Sequence, residues 1–286
     1  MDNICKPIVL LNNACNFKCI HCYVKNGESE LPIEYIKNFF EKTIIPNNSK
    51  FVRFAGGEPF MYSNFHELAV YLSKVHEKYD DIQFNFTTNG SILNENIIKD
   101  LKIINPNMVK VSLLSLREDK YREINGINFP IDKTLRNIKK LKQHFPIGIN
   151  MTIMRDTVQD IKPLVAFCLE NDIHDLFFSQ LTPAGRGSQI SSEKLTMYEI
   201  NTIKSYLNSI DKNKINIRYD DGCSCGFYQD YVLNWDGDVF PCCALTSHKE
   251  FKIGRYDTSL ADMRKNIDVL NKNRTKTCFV EEFVRD

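Results

Sequence analysis

Cys15-Asn16-Phe17-Lys18-Cys19-Ile20-His21-Cys22 follows directly on the short apolar run at residues 8–11. Three thiols within eight residues, on a loop leaving a first strand, can wrap one face of an iron–sulfur cube. One iron would then lack a protein ligand, which is the open position a reacting cofactor needs. A structural zinc site is the plainer reading, and it asks for a fourth nitrogen or sulfur ligand. His21 is the local candidate for that ligand, and it lies wedged between two of the thiols.

Outward from this loop the chain alternates strand and helix. Strands are expected at 8–11, 51–55, 82–86, 109–113, 147–153 and 176–179. Helix-period stretches follow at 33–45, 66–79, 96–104, 134–144, 161–169 and 197–207, with Pro46 closing the first and Asn105-Pro106 the third. Strand–helix units in series imply a parallel sheet, because each return to the same sheet needs a crossover helix. The expected fold class is therefore α/β, a partial (β/α)6 TIM-like barrel. Beyond about residue 211 the texture changes, so a barrel at 1–211 and a small cysteine-rich appendage at 212–286 are expected.

The chain has 286 residues, 43% hydrophobic and 26% charged, with 37 basic against 36 acidic side chains. A net charge of +1 gives no long-range pull on polyanions, which argues against nucleic acid as a partner. Arg136, Lys139, Lys140 and Lys142 are read as the wet face of a helix. No apolar run approaches the ~18 residues of a membrane span. Met1-Asp2-Asn3-Ile4-Cys5-Lys6-Pro7 lacks the basic-then-apolar order of a signal peptide, so no membrane association and a cytoplasmic location are expected. Thiols stay reduced in that compartment, and the ten cysteines call for metal rather than disulfides.

CNFKCIHC resembles the CxxxCxxC signature of the radical S-adenosylmethionine (SAM) superfamily, and the resemblance runs over roughly residues 8–190. Gly56-Gly57-Glu58-Pro59 after the second strand resembles the family's GGEP segment, whose backbone and acidic residue receive the SAM ammonium group. Thr88-Asn89-Gly90 resembles its TNG segment. Ser112 sits where relatives contact ribose or carboxylate. Gln180 and Thr182-Pro183-Ala184-Gly185-Arg186-Gly187 resemble the PxGRG loop of the subgroup with C-terminal clusters, and His21 holds the position of an aromatic that packs near adenine. All these segments fall at C-terminal ends of strands, the face where parallel barrels assemble their sites. The resemblance implies a [4Fe–4S] cluster on Cys15, Cys19 and Cys22, reductive cleavage of SAM, and hydrogen abstraction from an unactivated C–H bond. It also implies a reductase or flavodoxin-type electron donor as partner. Where many relatives carry an Asp two residues beyond the fourth-strand serine, this chain has Leu114, so a polar substrate contact is absent there or comes from Ser115.

The remaining cysteines are Cys5, Cys168, and a group of five, Cys223, Cys225, Cys242, Cys243 and Cys278. Cys225 with Gly237-Asp238-Val239-Phe240-Pro241-Cys242 resembles the opening of SPASM/twitch appendages, which bind auxiliary iron–sulfur clusters. Asp236-Gly237 reads as a hairpin turn between strands at 231–233 and 239–240. Cys278 is the natural third ligand. Cys223 points the same way as Cys225 in extended chain, and adjacent Cys242 and Cys243 point oppositely, so Cys243 is the expected spare thiol. Glu281 stands where relatives place another cysteine. The expectation is one auxiliary [4Fe–4S] cluster on Cys223, Cys225, Cys242 and Cys278. Cys168 reads as core packing, and Cys5 has no assignment.

Relatives of this type mostly modify ribosomally made peptides. The Asp236–Cys243 ending is similar to that of the YydG-like peptide epimerases, in which the second cysteine of the pair donates hydrogen. A peptide substrate, L-to-D epimerisation and Cys243 as donor are therefore expected. With the first cluster cysteine at residue 15, a leader peptide is expected to meet the barrel rim or a separate protein. Thioether or carbon–carbon cross-linking and small-molecule dehydrogenation are the enzymatic alternatives, and an electron-transfer or zinc protein the non-enzymatic one.

Overall fold

A computed structural model describes residues 7–219, 231–272 and 280. The chain runs β1 (Ile8–Leu10), α1 (Ile33–Phe39), β2 (Phe51–Ala55), α2 (Phe65–Lys78), β3 (Gln83–Thr88), α3 (Glu95–Ile104), β4 (Met108–Ser112) and α4 (Glu118–Asn125). It continues with α5 (Ile131–Lys142), β5 (Ile147–Ile153), α6 (Ile161–Glu170), β6 (Asp175–Gln180), α7 (Met197–Asn208) and β7 (Asn216–Tyr219). The last elements are β8 (Val232–Leu233), β9 (Asp238–Phe240), β10 (Gly254–Arg255) and α8 (Leu260–Lys272).

One sheet takes all the strands in the order β10-β9-β8-β1-β2-β3-β4-β5-β6-β7. Neighbours from β8 through β7 are parallel, and the β8–β9 and β9–β10 pairs are antiparallel. The sheet stays open, with β7 and β10 as its edges, as a partial barrel requires. Three features differ from the expectation. A seventh parallel strand, β7, adds to β6, and its half-polar Asn216-Ile217-Arg218-Tyr219 carries too little apolar signal to announce itself. The charged helix α4 precedes α5, with Tyr121 and Ile124 among its few buried residues. The expected first helix keeps α-geometry only to Phe39 and then widens into a π-helical turn, Phe40–Ile44. Residues past 211 extend both edges of the sheet, β7 on one side and β8–β10 on the other. Among the described residues no helix is long and apolar enough to cross a membrane.

Alternation along the strands sorts the side chains. Val52, Phe54, Phe84, Phe86, Val109, Val111, Ile149, Met151, Leu176 and Phe178 are all buried, in register across β2 to β6. Phe65 of α2 meets Phe86 edge-on at 5.8 Å, and Phe40 meets Phe84 at 6.3 Å, so this row faces the helices. Arg53, Asn85, Thr87, Lys110, Ser112, Asn150, Thr152 and Ser179 alternate with it and line the opposite, polar face. A sheet with one packed face and one wet polar face leaves room for a substrate on the second.

Phe54 is fully buried and stacks on Phe86 at 5.0 Å, whereas Phe51 is 37% exposed. Phe54→Ala should lower the unfolding free energy by about 3–5 kcal/mol and Phe51→Ala by under about 1 kcal/mol, read from urea denaturation midpoints.

Candidate functional site

The Cys15–Cys22 loop leaves the end of β1 and is held by backbone from three directions. From β2, Gly57 N donates to Asn12 O at 2.9 Å and Glu58 N to Ala14 O at 2.8 Å. A Cβ on Gly57 would lie 2.1 Å from Ala14 O, so only glycine lets the two loops touch. From α4, Asn125 O accepts from Lys18 N and Ile124 O from Ile20 N, both at 2.9 Å. From the loop after β6, Arg186 N donates to Cys22 O at 3.0 Å, and its side-chain Nε donates to Cys19 O at 2.8 Å.

Glu58 is fully buried, and its carboxylate accepts from Thr88 Oγ1 at 2.7 Å, Asn89 N at 2.8 Å and Phe60 N at 3.1 Å. Burial pushes its pKa up to about 7, against the pull of these three donors. The carboxylate thus ties the β3 loop to the β2 loop, where the resemblance had it receive the SAM ammonium. Asn89 passes the linkage on: its Nδ2 donates to Asn16 Oδ1 at 2.9 Å and reaches Cys15 Sγ at 3.8 Å. Pro59 begins a short 3-10 turn, Ser112 lies on the polar face at the end of β4, and Gln180 ends β6, half-buried. Ser115 is fully buried and donates to Asp160 Oδ1 at 2.8 Å, with Arg117 bidentate on the same carboxylate, so it is engaged inside the fold. Leu114 is buried beside it.

The thiols of Cys15, Cys19 and Cys22 are half-buried and close enough for their charges to interact. Burial pushes Cys15 up to about 11, with Glu58 and Cys22 adding to it. Cys19 is raised by burial and then by Cys22 and Cys15, and Cys22 by burial. Arg186 favours the thiolates of Cys19 and Cys22. Ligation by a cationic core is what would hold all three deprotonated. Among the described residues no three His, Cys, Asp or Glu side chains converge as ligands of one metal ion must. Three thiols near enough to raise one another's pKa are a donor set that an iron–sulfur cube would take. His21 is neutral, its pKa pushed down to about 4 by burial and by Arg186, and its Nδ1 is buried without a hydrogen-bond partner. An orphaned ring nitrogen between the thiols of Cys19 and Cys22 marks this loop as shaped for more than its own contacts.

From the C-terminal part, the expected Asp236-Gly237 hairpin forms: Gly237 turns at φ +79°, and Asn234 Oδ1 accepts from Asp236 N and Asp238 N. Cys242 and Cys243 follow β9, half-buried. Tyr23, next after Cys22, lies close enough to Cys243 for the two to interact electrostatically. Cys243 and then burial raise its phenol well above the usual range. Cys168 is fully buried in α6, its thiol pushed up to about 12 by burial alone, which fits core packing. Cys5, Cys223, Cys225, Cys278 and Glu281 lie outside the described residues. Asn12, Tyr23 and Asn125 were not singled out in the sequence. Asn12 Nδ2 donates to Glu58 O at 3.0 Å, and Asn125 Oδ1 accepts from Cys19 Sγ at 3.4 Å. Asn125-Gly126 is a helix-ending pair that could have marked α4.

Glu58→Ala would leave the Thr88 hydroxyl and the Asn89 N–H buried without their acceptor. At about 1–3 kcal/mol for each orphaned group, urea midpoints should register a loss of roughly 2–6 kcal/mol. Glu58→Gln, which keeps one acceptor oxygen, should lose less. Glu58 has a folded pKa of about 7, above its unfolded value of 4.5, so its carboxyl holds a proton in this window that the unfolded chain releases. Its contribution to stability therefore falls as pH rises from about 5 to 7 and is level above that. Glu58→Gln should flatten this part of a stability–pH curve.

The profile of the Radical SAM superfamily matches residues 9–168. The Fe-coproporphyrin III synthase of Methanosarcina barkeri is 32% identical over 203 residues, covering 68% of this chain and 49% of that protein. A GTP 3',8-cyclase of Clostridium perfringens is 30% identical over 188 residues, covering 63% of this chain and 56% of that protein. The chain thus spans about half the length of these curated relatives. In fold it is similar to Streptococcus suis SuiB bound to precursor peptide SuiA, with a TM-score of 0.82 and 17% identity over 96% of this chain and 68% of SuiB. It is also similar to anSMEcpe with bound AdoMet and Kp18Cys peptide, at TM-score 0.67 and 17% identity over 90% of this chain and 80% of the other. The cysteine loop, the glycine-permitted contact with the β2 turn and the profile match over more than half of the chain together establish that the chain is an enzyme of the radical SAM superfamily.

Proposed function

We propose that this enzyme inverts a stereocentre in a ribosomally made peptide, with Cys243 returning the hydrogen atom. The observation that carries the reading is the nearness of Cys243 to Tyr23, the residue after Cys22, close enough for Cys243 to raise the Tyr23 phenol. A cluster on Cys15, Cys19 and Cys22 with SAM bound to it supplies a radical able to take a hydrogen atom from an unactivated C–H bond. The chain's own residues then have separate tasks. Arg186 holds the loop and offsets thiolate charge, and the Glu58–Asn89 linkage keeps the β2 and β3 loops against Cys15. Gly56, Gly57, Pro59, Ser112, Gln180 and His21 are the proposed SAM contacts, with Glu58, Asn89 and Arg186. Cys223, Cys225, Cys242 and Cys278 are the proposed ligands of an auxiliary cluster, and a reductase or flavodoxin-type protein the proposed electron donor.

The solved structures of similar fold that hold a precursor peptide or an 18Cys peptide support a peptide substrate. The polar face bearing Asn85, Thr87, Ser112, Asn150, Thr152 and Ser179 offers donors and acceptors to a peptide backbone. An S–H bond is weak enough to quench a carbon radical. A thiol on the side of the substrate opposite the abstracting group inverts the centre rather than restoring it.

Two measurements test this. Anaerobically reconstituted protein should hold about eight irons, and the variant with Cys15, Cys19 and Cys22 all changed to Ala about four, as two cubes require. Loss of all iron in that variant would remove the auxiliary cluster from the reading. With a precursor peptide encoded near the gene, wild type in deuterated water should place one deuterium at an inverted Cα. Cys243→Ser should stop the D-residue while 5′-deoxyadenosine is still formed. A product two hydrogens lighter with unchanged chirality would mean cross-linking instead.

A further inference from the structure

We propose that Asn125 sets the reduction potential of a cluster held by Cys19, by turning its side-chain amide so that Nδ2 donates to the ligating sulfur. The inference rests on the assignment of Cys19 as a cluster ligand. Asn125 ends α4 and is buried, and its Oδ1 accepts from Cys19 Sγ at 3.4 Å. The residues on either side of Cys19 hold this pair together: Lys18 N donates to Asn125 O and Ile20 N to Ile124 O, both at 2.9 Å. Gly126 turns away at φ +63°, and a Cβ there would stand 2.5 Å from Lys18 O. From the loop after β6, Arg186 Nε donates to Cys19 O at 2.8 Å. Cys19 is therefore fixed beside one amide by contacts in which its own sulfur takes no part.

A free thiol gives its hydrogen to the amide oxygen. On ligation an S–Fe bond replaces the S–H bond and the proton leaves to water, so the sulfur can only accept. Oδ1 would then meet a sulfur with no hydrogen to give, an unfavourable contact of lone pairs. A half-turn of the amide exchanges Oδ1 for Nδ2 at the same place, and the two-fold terminal torsion permits it. Asn125 Nδ2 donates to no other group among the described residues, so the turn breaks no bond. The other two sulfurs differ. Cys15 Sγ already faces two donors, Phe17 N at 3.4 Å and Asn89 Nδ2 at 3.8 Å. Cys22 Sγ faces a backbone acceptor, Val24 O at 3.8 Å, which has no second end to offer. Hydrogen bonds to ligand sulfurs are one of the levers on a cluster's potential. Donors favour the state with more negative charge, which is the reduced one. In that step the cluster gains one electron, the flavodoxin-type donor loses one, and no proton moves. Asn125 thus eases the reduction that precedes SAM cleavage.

The test titrates anaerobically reconstituted holoenzyme with dithionite and follows the EPR signal of the reduced cluster. The signal belonging to Cys15, Cys19 and Cys22 is the one that changes when SAM is added and disappears in Cys19→Ala. Asn125→Leu keeps the size of the side chain and removes the donor. Its midpoint potential should fall by about 59 mV, a tenfold change in a one-electron equilibrium. Asn125→Asp keeps the shape, adds a negative charge beside the sulfur and should lower the potential further. In deuterated water, one of the deuterons coupled to the reduced cluster in wild type should be missing from both variants. Wild-type potentials with unchanged deuteron coupling in both variants would overturn the inference and leave the ligand assignment in place. Failure of both variants to take up iron would make Asn125 a folding residue and overturn it equally. If Cys19→Ala keeps the SAM-responsive signal, Cys19 is not a ligand, and the ligand assignment falls together with the inference.

Discussion

Three cysteine thiols sunk in one loop are hard to ionise, and the contacts around residues 12–26 answer that difficulty in two ways. Arg186 brings a positive charge to the loop, and its guanidinium is itself held by Cys19 O and Asn26 Oδ1. Backbone donors and acceptors from the β2 turn, the end of α4 and the loop after β6 fix the loop, so the sulfurs need not be drawn together against chain entropy when a cluster binds. The glycines at 57 and 185 serve this approach, since a methyl group at either would strike a carbonyl oxygen. The ligand spacing in the sequence is therefore one part of the site. The other part is a set of long-range backbone contacts that put the spacing to use.

That division explains what could be read in advance. Strands β1 to β6 and their helices were legible because alternation and helical period are local signals, good to three residues or fewer at their ends apart from the π-helical turn that finishes the first helix. The GGEP and TNG segments were legible as turns at strand ends. Their internal wiring was not. Nothing local in Glu58 says that Thr88 and Asn89, thirty and more positions on, donate to it. The same holds for Cys19 with Asn125 and for Arg186 with Cys19, pairs separated by 106 and 167 residues. The β7 strand escaped notice because an edge strand buries little and carries polar residues freely. The Asp236-Gly237 hairpin was legible from its turn chemistry, but its docking place was not, since a two-residue strand such as β8 has no pattern to match with β1.

The cysteines of the C-terminal part first suggested a separate small unit, and the strands it contributes tell more. β8 lies parallel to β1 and on its outer side, so the strand that launches the cluster loop is an interior strand only because of residues near 232. The polar face and the cluster loop consequently share one sheet with the hairpin that ends at Cys243. The Cys15–Cys22 loop and the hairpin before Cys243 thus meet through ordinary sheet pairing.

The pairing of Ile8 with Val232 also bears on how the protein comes into being. Ribosomes add about 5–20 residues each second, so the first strand waits roughly 10–45 s for its outer neighbour. During that interval β1 is an open edge, and an open edge is an invitation to wrong partners. The loop of three thiols hangs from that unfinished edge. A chain cut short before the hairpin would carry the Cys15–Cys22 loop on an edge strand instead of an interior one.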